Sequence, residues 1–243
     1  MGWLSHQEPI QDILQQMMAC LSPANLLKLS SHIAMLARQC GGSILLGTAC
    51  SGTDLIVHIL HSLLNHFQKV FGMTLKLRHV FAIEIEPKKQ DFLRAHWTPE
   101  ALFSDLLEVV SSSVVHEELS GEMQAVVAPT FLAIGIECDS ISGLNSQSQA
   151  GEGLVSSGSG RTGSTGQAAL KLVGRLRPSF VIFENVKNLN TTKDAAGKKE
   201  SDLIVLVRNM NAMGYHCVVN LLRSSKYGMP QSRDRYYILG FRI

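Results

Sequence analysis

The sequence predicts an α/β fold: a doubly wound, mostly parallel sheet with an antiparallel hairpin at one edge. From residue 43 onward, short apolar or β-branched runs alternate with amphipathic segments of helical period, the pattern of βαβ units. The last two runs, Cys217–Leu222 and Arg235–Phe241, leave no room for a helix between them and must pair antiparallel. Hydrophobic residues make up 45% of the 243 and charged ones only 17%, so the composition can fill one sizeable core.

Residues 1–40 read as an N-terminal helical extension. Ile10, Ile13, Leu14, Met17, Met18 and Leu21 recur at helical spacing, and Ser22-Pro23 reads as a cap plus first-turn proline opening a second helix through Ala37. Cys40-Gly41-Gly42 stops it, and residues 41–243 form the core. The first strand is Ser43–Leu46, followed by the helix Asp54–Phe67, the strand His79–Ile83 and the helix Lys88–His96. Thr130–Ile136 and Ser179–Phe183 are apolar enough to be buried central strands, with helices at Gly166–Leu176 and Ser201–Met213. Residues 143–165, rich in Gly, Ser and Gln and without periodicity, are expected to be a mobile functional loop without secondary structure. Gly158-Ser-Gly160-Arg-Thr-Gly163 matches a dinucleotide fingerprint there, but it does not follow a strand, so its glycines read as flexibility.

No apolar run approaches the ~20 residues that a membrane-spanning helix needs, and the start lacks a secretory pattern. The five cysteines are odd in number, scattered and never spaced CxxC, which fits neither a disulfide framework nor a zinc ribbon; no metal site is expected. The expectation is a soluble intracellular protein. Residues 1–160 carry 8 Lys and Arg against 15 Asp and Glu, whereas residues 161–243 carry 14 against 5. That asymmetry suits either an anionic partner for the C-terminal third or a solvated basic face.

The chemistry-bearing residues sit at strand ends. The first strand runs into Cys50-Ser51-Gly52-Thr53 and a helix, a turn that brings backbone N–H groups to the crevice where nucleotide-like ligands bind. The second strand ends in Glu84-Ile85-Glu86, placing a carboxylate where it can accept from both hydroxyls of a ribose. Together these point to an adenosine-bearing cofactor held by Cys50, Ser51, Gly52, Thr53, Glu84 and Ile85. Asp105 either reaches an adenine amino group or caps a helix. Cys138 stands at the C-terminal end of the apolar strand and Glu184 at the end of the next, an acid beside a candidate nucleophile. Arg233 and Arg235, two apart in the approach to the last strand, share a face and can hold a planar polar ligand or phosphates.

From about Ser43 to the last residue the chain resembles the cytosine-5 DNA methyltransferase family. Arg177-Pro-Ser-Phe-Val-Ile-Phe-Glu-Asn-Val-Lys-Asn-Leu matches its Glu-Asn-Val motif, and Tyr227-Gly-Met-Pro-Gln-Ser-Arg-Asp-Arg its Gln-x-Arg-x-Arg motif; the turn at Gly47–Thr53 and the acid Glu84 match more loosely. The resemblance implies a seven-stranded, Rossmann-like methyltransferase sheet and S-adenosyl-L-methionine as cofactor. It implies methyl transfer to carbon 5 of a cytosine rotated out of DNA, and a place in the nucleus if the cell is eukaryotic and in the cytoplasm otherwise. Cys138 would attack carbon 6, Glu184 would bond N3, and Arg235 with Arg233 would hold O2 and the nearby phosphate.

Glu137 stands where the family has proline before its nucleophile, and its charge is expected to raise the thiol's pKa. The family's target-recognition domain follows the arginine motif, where this sequence reaches Ile243, so a second subunit or domain is an expected partner alongside DNA. Two rivals stay open: a non-catalytic regulatory or scaffold member of the family, and an enzyme acting on structured RNA.

Overall fold

The computed structural model describes residues 22–50, 52–72, 75–143, 145–192, 200–227 and 230–243, with positions 12, 15 and 19. The apolar stripe from Ile10 to Leu21, and Ser51 of the cofactor turn, lie outside the described residues.

Helix α1 (Pro23–Gln39) begins as the sequence dictates: Ser22 Oγ accepts the Asn25 N–H at 3.3 Å and Pro23 takes the first helical position. The core continues β1 (Ser43–Ala49), α2 (Leu55–Phe71), β2 (Lys76–Ile83), α3 (Pro87–His96), β3 (Leu102–Phe103) and α4 (Leu106–Ser111). A small antiparallel pair, β4 (Val115–His116) and β5 (Met123–Gln124), leads to β6 (Phe131–Gly135), α5 (Leu154–Ser157), α6 (Gly160–Leu176) and β7 (Phe180–Val186). Helix α7 (Asp202–Ala212), β8 (Tyr215–Arg223) and β9 (Asp234–Arg242) complete the chain.

Seven strands form one sheet in the order β3-β2-β1-β6-β7-β9-β8. Chain order reverses between β1 and β6, and the crevice of an open α/β sheet forms outside the strand ends at such a switch. The expected edge hairpin is β8–β9. Its reversed strand, β9, lies inside, antiparallel to both β7 and β8, so the outermost strand β8 runs with the parallel set. Leu46, Phe81, Phe103, Leu132, Leu172 and Phe183 are fully buried along the sheet faces.

Two local devices set the geometry of the site end. The β1–β2 register shifts between Leu46 and Gly47, so that Gly47 pairs with Phe81. A Cβ on Gly47 would stand 2.5 and 3.0 Å from the two Cε atoms of the Phe81 ring, so only glycine lets that ring lie on the strand.

The second device lies in residues 143–165, which carry more structure than expected: α5 and the start of α6 occupy their second half, with Leu154 and Val155 buried. A Cβ on Gly163 would meet Gly158 C at 2.8 Å, and one on Gly166 would meet Val155 Cγ2 at 2.9 Å, so these glycines allow close helix packing. Asp202, buried at the start of α7, accepts the N–H groups of Leu154 (3.2 Å) and Val155 (2.8 Å), the free donors that open α5. Among the described residues no helix is long and apolar enough to cross a membrane.

Candidate active site

The turn after β1 is held from below. Cys50 and Asp54 adopt the left-handed conformation at φ 52° and 50°, as does Gly52 at 69°, and the Cys50 N–H donates to Ile83 O at 2.8 Å. Thr48, fully buried, donates its hydroxyl to Asp54 Oδ2 at 2.6 Å, and His79 Nε2 lies 2.9 Å from that hydroxyl. Burial pushes Asp54 up to about 7, with Thr48 pulling the other way, and pushes His79 down to about 4. Trp97, at the end of α3, donates Nε1–H to Thr53 O at 2.7 Å and ties down the turn's far side.

Glu84 directly follows β2 at 5% exposure, with Oε1 accepting the Glu86 N–H at 3.0 Å and its carbonyl accepting Gln90 Nε2–H at 2.7 Å. Ile85 beside it is 58% exposed. Asp105 takes the capping role, accepting the Leu107 N–H at 2.8 Å as α4 begins. It also faces the crevice: the Cys50 thiol is pushed up to about 12, first by burial and then by Glu84, Asp105 and Glu137. Cys50, Glu84 and Asp105 thus converge as the sequence suggests. The donor set fits an adenosine-bearing cofactor: a buried carboxylate for vicinal hydroxyls, an exposed apolar side chain for a planar base, and a left-handed turn presenting backbone.

The second half of the site lies across β6, β7 and β9. Glu184 is in register with Gly135 on one side and Tyr237 on the other. Arg235, two residues before Tyr237, places Nε 2.9 Å from Glu184 Oε1. Cys138, three residues beyond β6, sits half-buried between them in charge: burial raises its thiol pKa, Arg235 lowers it, and Glu184 raises it. Glu137 acts as expected in sign but is the weakest of the charges raising the thiol, after Glu184 and Asp139. Its carboxylate is engaged elsewhere, Oε1 accepting the Asp139 N–H at 3.1 Å and Oε2 the Thr162 hydroxyl at 3.4 Å. Burial and Asp139 push Glu137 itself up. Arg233 is exposed and farther out, where with Arg235 it lowers the Tyr237 pKa that burial and Glu184 raise.

Sequence reasoning missed the side chains that fix the Cys138 segment. Asn185, 1% exposed, donates Nδ2–H to Ile136 O at 2.9 Å, and Asn188 donates to Ile141 O at 2.9 Å. They grip the chain on both sides of the cysteine. An asparagine at the end of an apolar strand must find a partner when buried, and that was the readable signal. Thr48, Asp54 and His79 were missed because they meet only when β1 and β2 pair.

Residues 68–243 match the C-5 cytosine-specific DNA methylase family. The chain is 28% identical over 207 residues to the DNA (cytosine-5-)-methyltransferase DMT5 of Cryptococcus neoformans, covering 85% of this chain and 8% of that protein. It is 34% identical over 82 residues to the type II methyltransferase M.NmeDI of Neisseria meningitidis, covering 34% of this chain and 19% of the other. Among solved structures, the fold is similar to the S. pombe Dnmt2 methyltransferase, with a TM-score of 0.50 at 15% identity over 82% of this chain and 50% of that one. This chain therefore spans half or less of the length of each of these relatives. With its sheet order, its acid–arginine pair beside a strand-end cysteine, and a family match over more than half its length, the chain belongs to the C-5 cytosine-specific DNA methylase family.

Proposed function

We propose that this chain is the catalytic core of an S-adenosylmethionine-dependent DNA cytosine-5 methyltransferase. The observation that carries the reading is the 2.9 Å contact of Arg235 with Glu184 beside Cys138, at the strand ends that also carry Glu84. In this reading Glu84 and the Cys50–Thr53 turn hold the cofactor, with Ile85 and Asp105 at its base, and the bound cofactor supplies an electrophilic methyl group. Cys138, as thiolate, adds to carbon 6 of an extruded cytosine while Glu184 holds a proton at N3, which makes carbon 5 electron-rich. Arg235 orients O2 and keeps Glu184 in place, and the exposed Arg233 faces a phosphate. Once carbon 5 has taken the methyl group, with the cofactor left as its neutral thioether, the carbon 5 proton passes to water. The electron pair of that carbon–hydrogen bond re-forms the ring double bond, and the carbon–sulfur bond breaks to restore the Cys138 thiolate.

The choice of target sequence falls in this reading to a second domain or subunit, for which Val219 and Leu221, two apart on one face of β8, offer exposed apolar surface. One observation favours the non-catalytic rival: the Cys138 thiol is raised, which disfavours the reactive thiolate. Incubation with tritiated S-adenosylmethionine and either DNA or structured RNA, followed by base analysis, tests the reading and its substrate. DNA containing 5-fluorocytosine should be trapped covalently by the wild type and not by Cys138→Ser. A protein that binds cofactor yet forms no trapped complex is the non-catalytic rival.

A further inference from the structure

The crevice is lined by acids, and its cation went unread in the sequence. Lys89 lies in the first turn of α3, and its Cδ comes 4.0 Å from where a Cβ on Gly52 would stand, so the side chain leans from α3 over the turn after β1. Its Nζ is 2.7 Å from Glu86 Oε2 at the mouth, with the two side chains 43% and 48% exposed. The ammonium is favoured first by Glu86 and then by Glu84 and Asp139, so it stands among the β2 acid, the β1 turn and the segment after Cys138. Among the described residues the charges acting on Cys50, at the floor of the turn, are three carboxylates (Glu84, Asp105 and Glu137) and one ammonium, Lys89.

S-adenosylmethionine presents two cationic centres, the sulfonium and the α-ammonium, and one carboxylate. The acids suit the first two. The carboxylate, brought among them, needs a cation, and Lys89 reaches over the turn that would hold the amino-acid part. An exposed ion pair such as Lys89–Glu86 contributes little to stability, so exchanging Glu86 for a ligand carboxylate costs little. We propose that Lys89 is a specificity-determining residue that exchanges its Glu86 partner for the carboxylate of the cofactor's methionine moiety. This rests on the reading of the crevice as an S-adenosylmethionine site.

Calorimetry on the whole chain, with S-adenosylmethionine and with its decarboxylated form as ligands, tests the assignment. Lys89→Met should weaken S-adenosylmethionine about five- to tenfold, the scale of a charge-assisted contact discounted for exposure, and should leave the decarboxylated ligand within about twofold. Lys89→Arg should restore most of the loss. Glu86→Gln, which removes the competing partner, should not weaken binding. Equal losses for both ligands, an unchanged affinity for S-adenosylmethionine, or a Glu86→Gln loss matching that of Lys89→Met would overturn the assignment. So would a Lys89→Met variant that loses only DNA affinity. Absence of binding in the wild type would overturn the cofactor reading itself, a result distinct from any of these.

Discussion

Gly47→Ala is a sharp test of how the strand beside the cofactor turn is built. The new methyl would stand 2.5 and 3.0 Å from two atoms of the Phe81 ring, against ordinary carbon contacts of about 3.5–4.0 Å, so roughly 1 Å of relief is required. Phe81 is fully buried, and its strand is fixed by the pairs Gly47–Phe81, Thr48–Ala82 and Ala49–Ile83, which leaves the ring little room to retreat. Overpacking of this kind costs about 1–3 kcal/mol, which in a chain of this size lowers Tm by about 3–10 °C. If the ring is what resists, Phe81→Leu should relieve the clash, and the double variant should be more stable than the sum of the two losses by about 1 kcal/mol or more. Thermal denaturation by circular dichroism of the four proteins measures this. A Gly47→Ala variant melting with the wild type, or penalties that simply add, would refute the account of the register shift.

The electrostatics of the site lead to two more predictions. Glu184→Gln should lower the Cys138 thiol pKa and Arg235→Gln should raise it, because Glu184 is one of the charges raising it and Arg235 the one lowering it. Peptide-mapped alkylation by iodoacetamide across pH reads both, at several-fold in rate, and shifts of the same sign would contradict the geometry. For Asp54, raised from 3.8 to about 7, the native state retains a proton that the unfolded chain gives up. Its stabilisation is therefore full below 3.8 and lost as pH rises through about 7. His79, lowered from 6.5 to about 4, contributes oppositely, with stability present above 6.5 and lost as pH falls toward 4. The two nearly cancel at intermediate acidity. Between about pH 6 and 8 the Asp54 loss outweighs the His79 gain, so the wild type should lose about 0.5 kcal/mol in urea titrations while Asp54→Asn gains about 0.8 kcal/mol. Parallel declines in both proteins would exclude Asp54 as the source.

The alternation of strands and helices was legible because each long element carries its own period; Lys88–His96, for example, needed only Pro87 added to match α3. Elements closed by distant partners were not. Helix α5 hides in a Gly- and Ser-rich stretch because its capping carboxylate, Asp202, lies 47 residues beyond Val155 and its packing surface is the absence of side chains on Gly163 and Gly166. The two-residue strands β3, β4 and β5 are too short to show any period. They are held by Glu117, buried in a polar turn and accepting the N–H groups of Leu102, Leu119 and Ser120. In the site, Cys138, Glu184 and Arg235 were readable because each stands at or near the end of an apolar strand. Asp105 showed two roles in sequence and has the helix cap in the structure, while Lys89 falls within the helical segment Lys88–His96 with no motif to mark it.

The position of β9 has a consequence for how the molecule is assembled. Strand β8 is synthesised first, yet its one neighbour in the sheet is β9, which enters between it and β7. Without residues 234–242 the native partner of β8 is missing, and the ladder that sets Arg235 two residues from Tyr237, which pairs with Glu184, does not exist. Hydrogen-bond closure of the sheet and formation of the acid–arginine pair are one event. A chain lacking that strand would carry Cys138 and Glu184 without Arg235, the charge that lowers the thiol's pKa, so ionisation of the cysteine depends on closure of the sheet.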